Sequence, residues 1–321
     1  MSVPVVTWIM PVLNGMPFLP EALASIQQQT FTDHQLYVWD NGSSDGTVEC
    51  LQEWIPHRIP GKVFTGQPLS LGLSLARLLE SAPSPLVARM DADDICEPHR
   101  LAVQVAHLEK HHELAVIGSE RTSIDEAGNV IPPRSRFPSD YFEILHATLR
   151  SPRLMHPSTL MRRRCVAEVG GYQDLSTHEF PYWCEDYDLW LRVLSKFKVA
   201  ALEERLIRYR YTPGSLTETE IRLNRASNAK RRAWLLSCAD FAGLTNQDTA
   251  ARLWDRKLLF ALPALLKIAR HFGGRDGLAV SSRLRMASFL NVAASFLRRE
   301  DLITRAWLRA CRTRMIRENA E

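Results

Sequence analysis

From Val3 to Leu13 the chain is almost unbroken apolar sequence, and it stops at Asn14-Gly15. A strand apolar on both faces belongs in the middle of a parallel sheet, because an edge strand with one wet face would alternate. The pattern of a strand running into polar residues recurs twice. Gln35 to Trp39 runs into Asp40-Asn41-Gly42-Ser43-Ser44-Asp45-Gly46, and Leu86 to Met90 runs into Asp91-Ala92-Asp93-Asp94. Helical spacing fills the gaps: residues 20–29 with Ala22, Leu23 and Ile26 inward, a face of Val48, Leu51 and Ile55 capped by Ser44 or Asp45, and Leu71 to Leu79.

This β-α-β-α-β order predicts an α/β fold with a right-handed, mostly parallel sheet flanked by helices. Ligands of such open sheets sit beyond the C-terminal strand ends. Asn14, Asp40 to Asp45 and Asp91 to Asp94 each follow a strand, so the topology gathers them on one rim.

Three carboxylates in four positions, Asp91 to Asp94, repel one another unless a cation or a set of donors offsets the charge. Hard oxygen ligands favour magnesium or manganese, which keep substrate phosphates among their remaining ligands. A solvated turn with an aspartate helix cap is the bland alternative, and on the run alone the two stand level. The convergence of three polar clusters favours a binding site.

A second acidic group opens the helix from Glu185 to Phe197. Leu189, Trp190, Val193 and Phe197 form its apolar face, and Asp186 precedes the first two by three and four residues, on the same side. An inward carboxylate needs a partner or a site. The alternative is a helix-start acid stabilised by the macrodipole, which would also keep it ionised. Together the two acidic groups suggest a division of labour. One holds a diphosphate through a cation acting as a Lewis acid. The other accepts a proton from an incoming hydroxyl.

Further along, Pro98 to His112 reads as a helix, Leu114 to Gly118 as a short strand and residues 119–138 as a loop. Ser139 caps a helix facing inward through Phe142, Leu145 and Leu149. Met155 to Met161 reads as a strand, Gly170-Gly171 ends a short helix by supplying positive φ, and the sheet closes near Tyr211.

The 321 residues, 45% of them apolar, suffice for one large domain with a core and an appendage. The six cysteines form no CxxC pair and read as reduced thiols in a cytosolic protein. No apolar run reaches the roughly 18 residues of a membrane span, and no signal peptide is visible. Of 40 Lys+Arg and 36 Asp+Glu, residues 215–321 hold 20 and 10, leaving 20 and 26 for residues 1–214. The acidic part, 1–214, and the basic, helical C-terminal region, 215–321, read as two domains with different duties. That region carries apolar helices such as Thr249 to Arg270 and arginine clusters such as Arg298-Arg299. It is either an annex packed on the domain or a surface that docks on anionic lipid. It lacks the interleaved aromatics of a nucleic-acid binder. No G-x-G-x-x-G follows the first strand, which argues against a dehydrogenase.

Five stretches carry a resemblance: Ile9 to Gly15, Asp40 to Thr47, Ala88 to Asp94, Gly170-Gly171-Tyr172 and Glu185 to Arg192. In that order they resemble the family 2 inverting glycosyltransferases with the GT-A fold, over roughly residues 3 to 217. The resemblance implies a Mn2+- or Mg2+-dependent enzyme. It would move a hexosyl or N-acetylhexosaminyl group from a nucleotide-diphosphate sugar to a saccharide or lipid-linked saccharide, in cell-surface polysaccharide or glycolipid assembly. It fits a cytoplasmic protein, which would be peripheral on the inner face of the plasma membrane where 215–321 docks on lipid. Pro11 and Asn14 match the first nucleotide loop, and Asp40 and Asn41 the pair that grips base and ribose. Asp91 and Asp93 match the DXD motif, with Asp93 the principal metal ligand and Asp91 near the nucleotide. Arg89 either approaches the donor phosphates or forms a structural ion pair. Asp186 matches the catalytic base, and Glu185 beside it orients acceptor or donor. His156 is either an acceptor-side residue or a structural one. Relatives often have Asp where Asn41 stands, Asn where Arg77 stands, and a metal-reaching His where Thr212 stands. The other class in play is a non-catalytic sugar-nucleotide-binding or scaffolding protein acting through its tail.

Overall fold

The computed structural model describes residues 3–132, 136–139, 141, 144, 148, 152–174 and 185–212. Its strands are β1 (Val6–Val12), β2 (His34–Asp40), β3 (Gly61–Thr65), β4 (Leu86–Arg89), β5 (Ile95–Cys96), β6 (Leu114–Ile124), β7 (Leu160–Arg162) and β8 (Lys198–Arg210). The helices described are α1 (Leu19–Gln27), α2 (Thr47–Trp54), α3 (Leu71–Ser81), α4 (Arg100–Lys110), α5 (Arg163–Glu168) and α6 (Glu185–Lys196).

The strands form one sheet in the order β3-β2-β1-β4-β7-β6-β8-β5. The pairs β3–β2, β2–β1, β1–β4 and β6–β8 are parallel, while β7 and β5 pair antiparallel to their neighbours. β1 alternates between two cores. Val6, Trp8, Met10 and Val12 meet α1, α2 and α4 through Leu23, Ile26, Leu51, Leu101 and Leu108. Ile9 faces the other way, toward Leu75 and Leu78 of α3, Val166 of α5, and Leu189, Trp190 and Val193 of α6. A strand covered on both faces needs apolar residues at odd and even positions alike, hence the unbroken run at the N-terminus.

Four expectations need correction. β3 was missed because Gly61-Lys62-Val63-Phe64-Thr65 is short and only partly buried at the sheet edge. Its first residue must be glycine, since a Cβ on Gly61 would stand 1.8 Å from the Leu36 carbonyl oxygen. β6 runs on to Ile124, so residues 119–124 are strand and not loop; its polar Ser119, Arg121 and Ser123 are buried against β8. Met155 to Met161 is not one strand: His156–Ser158 forms a 3-10 turn before β7. The residue capping α2 is Gly46 (φ 92°), although Asp45 still accepts from the Thr47 amide at 3.1 Å. The predicted Phe142, Leu145 and Leu149 and all of 215–321 lie outside the described residues.

Candidate active site

The first two strand-end loops are sewn together. The Asn14 amide donates to Ser43 Oγ at 2.8 Å, and Asn14 Oδ1 accepts from the Ser44 amide at 3.0 Å. The Gly15 and Met16 amides donate to Thr47 Oγ1 and Asp45 Oδ2 at 2.8 and 2.9 Å. Asn14 takes a left-handed φ of 52° to turn the chain, which asparagine tolerates better than most residues. Pro11, half-buried in β1, lies opposite Trp39. Asp40 closes β2 with its Oδ2 accepting from the Gly42 and Ser43 amides at 3.1 and 3.2 Å. Its Oδ1 is buried without a hydrogen-bond partner, an acceptor of the kind ligands satisfy. Asn41 is occupied differently. Its amide donates to the Leu69 carbonyl at 2.7 Å and accepts from the Leu69 amide at 2.6 Å. It therefore ties the loop before α3 to β2.

The third loop carries the carboxylates. Asp91, Asp93 and Asp94 each bring an oxygen within 4.8 Å of the others. Burial, then the Asp91 charge, pushes Asp93 up to about 6. Asp94 is fully buried and held well above the ordinary carboxylate range, by burial and then by Asp93. Its Oδ1 accepts from the Arg210 amide at 2.9 Å, and its Oδ2 has no hydrogen-bond partner. Three oxygen donors crowded against mutual repulsion, with a buried oxygen to spare, fit a hard divalent cation. Asp91 and Asp93 are the more accessible pair. β5 follows at once and pairs with β8, Ile95 against Arg208, which pins the loop from behind.

Arg89 lies beneath this loop. It is buried and ion-paired with Asp91. Burial works against its charge, but Asp91 outweighs that and holds the guanidinium firmly ionised. The same cation acts on Glu185, Tyr172 and His156, and Asp91 itself acts on Glu185. The Asp91–Asp94 loop and the start of α6, nearly a hundred residues apart, are thus linked electrostatically through one buried arginine, ion-paired with Asp91 and acting on Glu185. His156 Nε2 and Tyr172 Oη are hydrogen-bonded at 2.7 Å. His156 Nδ1 stands 3.7 Å from Glu185 Oε1, longer than a hydrogen bond. Burial, then Arg89, holds His156 well below its ordinary range, so this is a contact of a neutral ring.

At the start of α6 the more deeply buried acid is Glu185, not Asp186. The first turn of α3 covers Glu185: a Cβ on Gly72 would stand 3.5 Å from that of Glu185. Asp186 is half-buried, and its Oδ1 accepts from the Tyr187 amide at 2.7 Å. Burial, then Asp186, pushes Glu185 up to about 8 from 4.5. The fold therefore favours the protonated acid, and stability from this group is lost as pH rises from about 4.5 through about 8. Glu185→Gln should accordingly match the parent's melting temperature near pH 5 and exceed it near pH 8.5. Differential scanning fluorimetry checks this, and a gap independent of pH would contradict it.

Arg210, at the end of β8, was not foreseen. It reaches the Asp93 carbonyl, Asp94 and Glu21 together. Its one sequence signal is an arginine just before Tyr211-Thr212-Pro213.

A mixed sheet with this strand order, ending in a carboxylate loop on its C-terminal rim, is the GT-A arrangement of the glycosyltransferases. The family model described as glycosyl transferase family 2 matches residues 7–170, and the chain belongs to that family. It is 30% identical over 220 residues to the putative glycosyltransferase EpsE of Bacillus subtilis, covering 65% of this chain and 74% of EpsE. It is 32% identical over 195 residues to the amylovoran biosynthesis glycosyltransferase AmsE of Erwinia amylovora, covering 60% and 70%. Among solved structures, TarS 1–349 of S. aureus in complex with UDP-GlcNAc superposes with a TM-score of 0.60 at 14% identity, covering 98% of this chain and 90% of that one. The mannosyltransferase PcManGT of Pyrobaculum calidifontis, in complex with GDP-Man and Mn2+, superposes with a TM-score of 0.53 at 16% identity, covering 99% and 88%.

Proposed function

We propose that this glycosyltransferase is metal-dependent and inverting, and that it moves a hexosyl or N-acetylhexosaminyl group from a nucleotide-diphosphate sugar to an acceptor hydroxyl. The observation that carries the proposal is the electrostatic coupling of the Asp91–Asp94 loop to the buried Glu185 at the start of α6, through Arg89, which is ion-paired with Asp91.

Asp40 offers its spare Oδ1 to an N–H of the base or a hydroxyl of the ribose, beside the loop that Asn14 and Pro11 shape. Asn41 supports that wall through Leu69. Asp93, with Asp91, would hold Mn2+ or Mg2+, which when bound supplies Lewis-acid stabilisation to the leaving diphosphate. Asp186 accepts the proton of the acceptor hydroxyl, whose oxygen forms a bond to the anomeric carbon from the face opposite the diphosphate. The bond from that carbon to the diphosphate oxygen breaks, so the configuration inverts. Glu185, buried and largely protonated, orients a hydroxyl of the acceptor or donor, and Arg89 sets both acids from below. Neutral His156 and Tyr172 close the wall beside Glu185.

The neighbours holding UDP-GlcNAc, or GDP-Man with Mn2+, support a nucleotide sugar as donor, and the relative named for amylovoran biosynthesis supports a role in glycan assembly. A saccharide or lipid-linked saccharide on the cytoplasmic face is the matching acceptor, in cell-surface polysaccharide or glycolipid assembly. Among the described residues no helix is long and apolar enough to cross a membrane. The basic region 215–321 is proposed to reach anionic lipid at the surface. Its removal should abolish co-flotation with phosphatidylglycerol vesicles, and equal recovery with and without it would end that part of the reading. The enzymatic reading is tested by incubating the full chain with UDP- and GDP-sugars and Mn2+ and measuring free nucleotide diphosphate. Slow metal-dependent release from one donor is expected. A mere binder would release none from any.

A further inference from the structure

Arg210 makes more contacts around the carboxylate loop than any role in a strand requires. Its side chain is almost wholly buried. Nε donates to the Asp93 carbonyl at 2.8 Å, while the residue's own amide donates to Asp94 Oδ1 at 2.9 Å. Nη1 donates to the carbonyls of Asp125 and Glu126 at 3.3 and 2.9 Å, beyond the end of β6. Nη2 is ion-paired with Glu21 of α1, and the guanidinium carbon stands 4.6 Å over the Phe18 ring. One planar cation thus joins the metal loop to α1, to β8 and to the turn after β6.

We infer that Arg210 is a positioning residue for the metal-binding loop. The inference rests on the reading that Asp91 and Asp93 hold the cation. The Arg210 side chain holds Asp93 at its carbonyl, and the Arg210 amide holds Asp94 at its carboxylate, so the backbone that presents the Asp93 side chain is braced. The positive charge behind three carboxylates also offsets their repulsion before any cation arrives. Both effects lower the cost of ordering the loop when metal and nucleotide bind. Arginine is required because five donors in a rigid fork can reach several segments at once, whereas a lysine ammonium is a single point. Partners that orient metal ligands from behind commonly contribute about 10- to 100-fold in metal affinity.

The test is calorimetric titration of UDP and of GDP into the full chain, with Mn2+ and with EDTA, at a temperature where every variant is folded by circular dichroism. The readout is the gain in nucleotide affinity conferred by Mn2+. Arg210→Lys should reduce that gain by about 10-fold or more and leave the metal-free affinity unchanged. Should Arg210→Lys fail to fold, Glu21→Gln serves instead: it leaves Arg210 in place, removes one anchor at a half-exposed site, and should give a smaller loss in the same direction. A residue that merely holds the fold together would lower the melting temperature and leave the Mn2+-dependent gain intact. Folded variants with the parent's gain would overturn the inference and leave the proposed function standing. A parent chain whose binding of both nucleotides ignores Mn2+ would overturn the metal-loop reading and this inference with it.

Discussion

Asp186→Asn should lower sugar transfer by about 10²–10⁴-fold, the usual contribution of a general base, while nucleotide binding with Mn2+ stays near that of the parent. The asymmetry follows from position. Asp186 lies in the first turn of α6, apart in the chain from the Asp91–Asp94 loop, and it is half-buried, so an incoming hydroxyl can reach it. It also acts on Glu185, raising that acid by like-charge repulsion. Neutralising Asp186 therefore removes the proposed proton acceptor and eases its neighbour's ionisation. It leaves the Asp40 and Asp93 loops with all their hydrogen bonds. Steady-state transfer assays paired with calorimetry separate the two effects. Loss of nucleotide binding in Asp186→Asn would mean that the residue serves the donor and not the acceptor.

Asp93→Asn should lower turnover on the order of 10²–10³-fold, the size typical of deleting one group that stabilises developing charge. It should also remove the dependence of nucleotide affinity on Mn2+. In the chain without metal the substitution relieves repulsion, because Asp93 is half-buried beside Asp91 and its carboxyl is raised to about 6. The variant should therefore fold at least as well as the parent. A melting temperature maintained or raised, with Mn2+ dependence gone, is the combination expected of a metal ligand. A drop in melting temperature with Mn2+ dependence retained would assign Asp93 a structural role.

The sequence disclosed those features that depend on local pattern. The apolar run from Val6 to Val12 marks a strand covered on both faces, and the polar residues after β1, β2 and β4 mark the rim on which parallel topology gathers them. Long-range partners were not legible. Nothing near Asn41 shows that its amide is occupied by Leu69. Nothing near Glu185 shows that the first turn of α3 lies on it and makes it, rather than Asp186, the deeper acid. Arg89 was open to two readings, and its burial against Asp91 favours the ion pair. Arg210 gave no periodic signal, because its role depends on Glu21 and Asp94, which lie 189 and 116 residues away in the chain. Edge strands fail for a related reason: β3 is stabilised by its pairing with β2 more than by its own apolar content.

In the proposed function, acids from distant parts of the chain serve one pocket, with the cation at Asp91 and Asp93 and the proton acceptor at Asp186. Anomalous diffraction from crystals grown with Mn2+ and a nucleoside diphosphate tests this arrangement. A manganese peak is expected in contact with an Asp93 oxygen and with the diphosphate, and the Asp186 carboxylate is expected to face the space beyond the terminal phosphate, one sugar ring away. A metal bound elsewhere, or Asp186 turned from that space into bulk solvent, would contradict it.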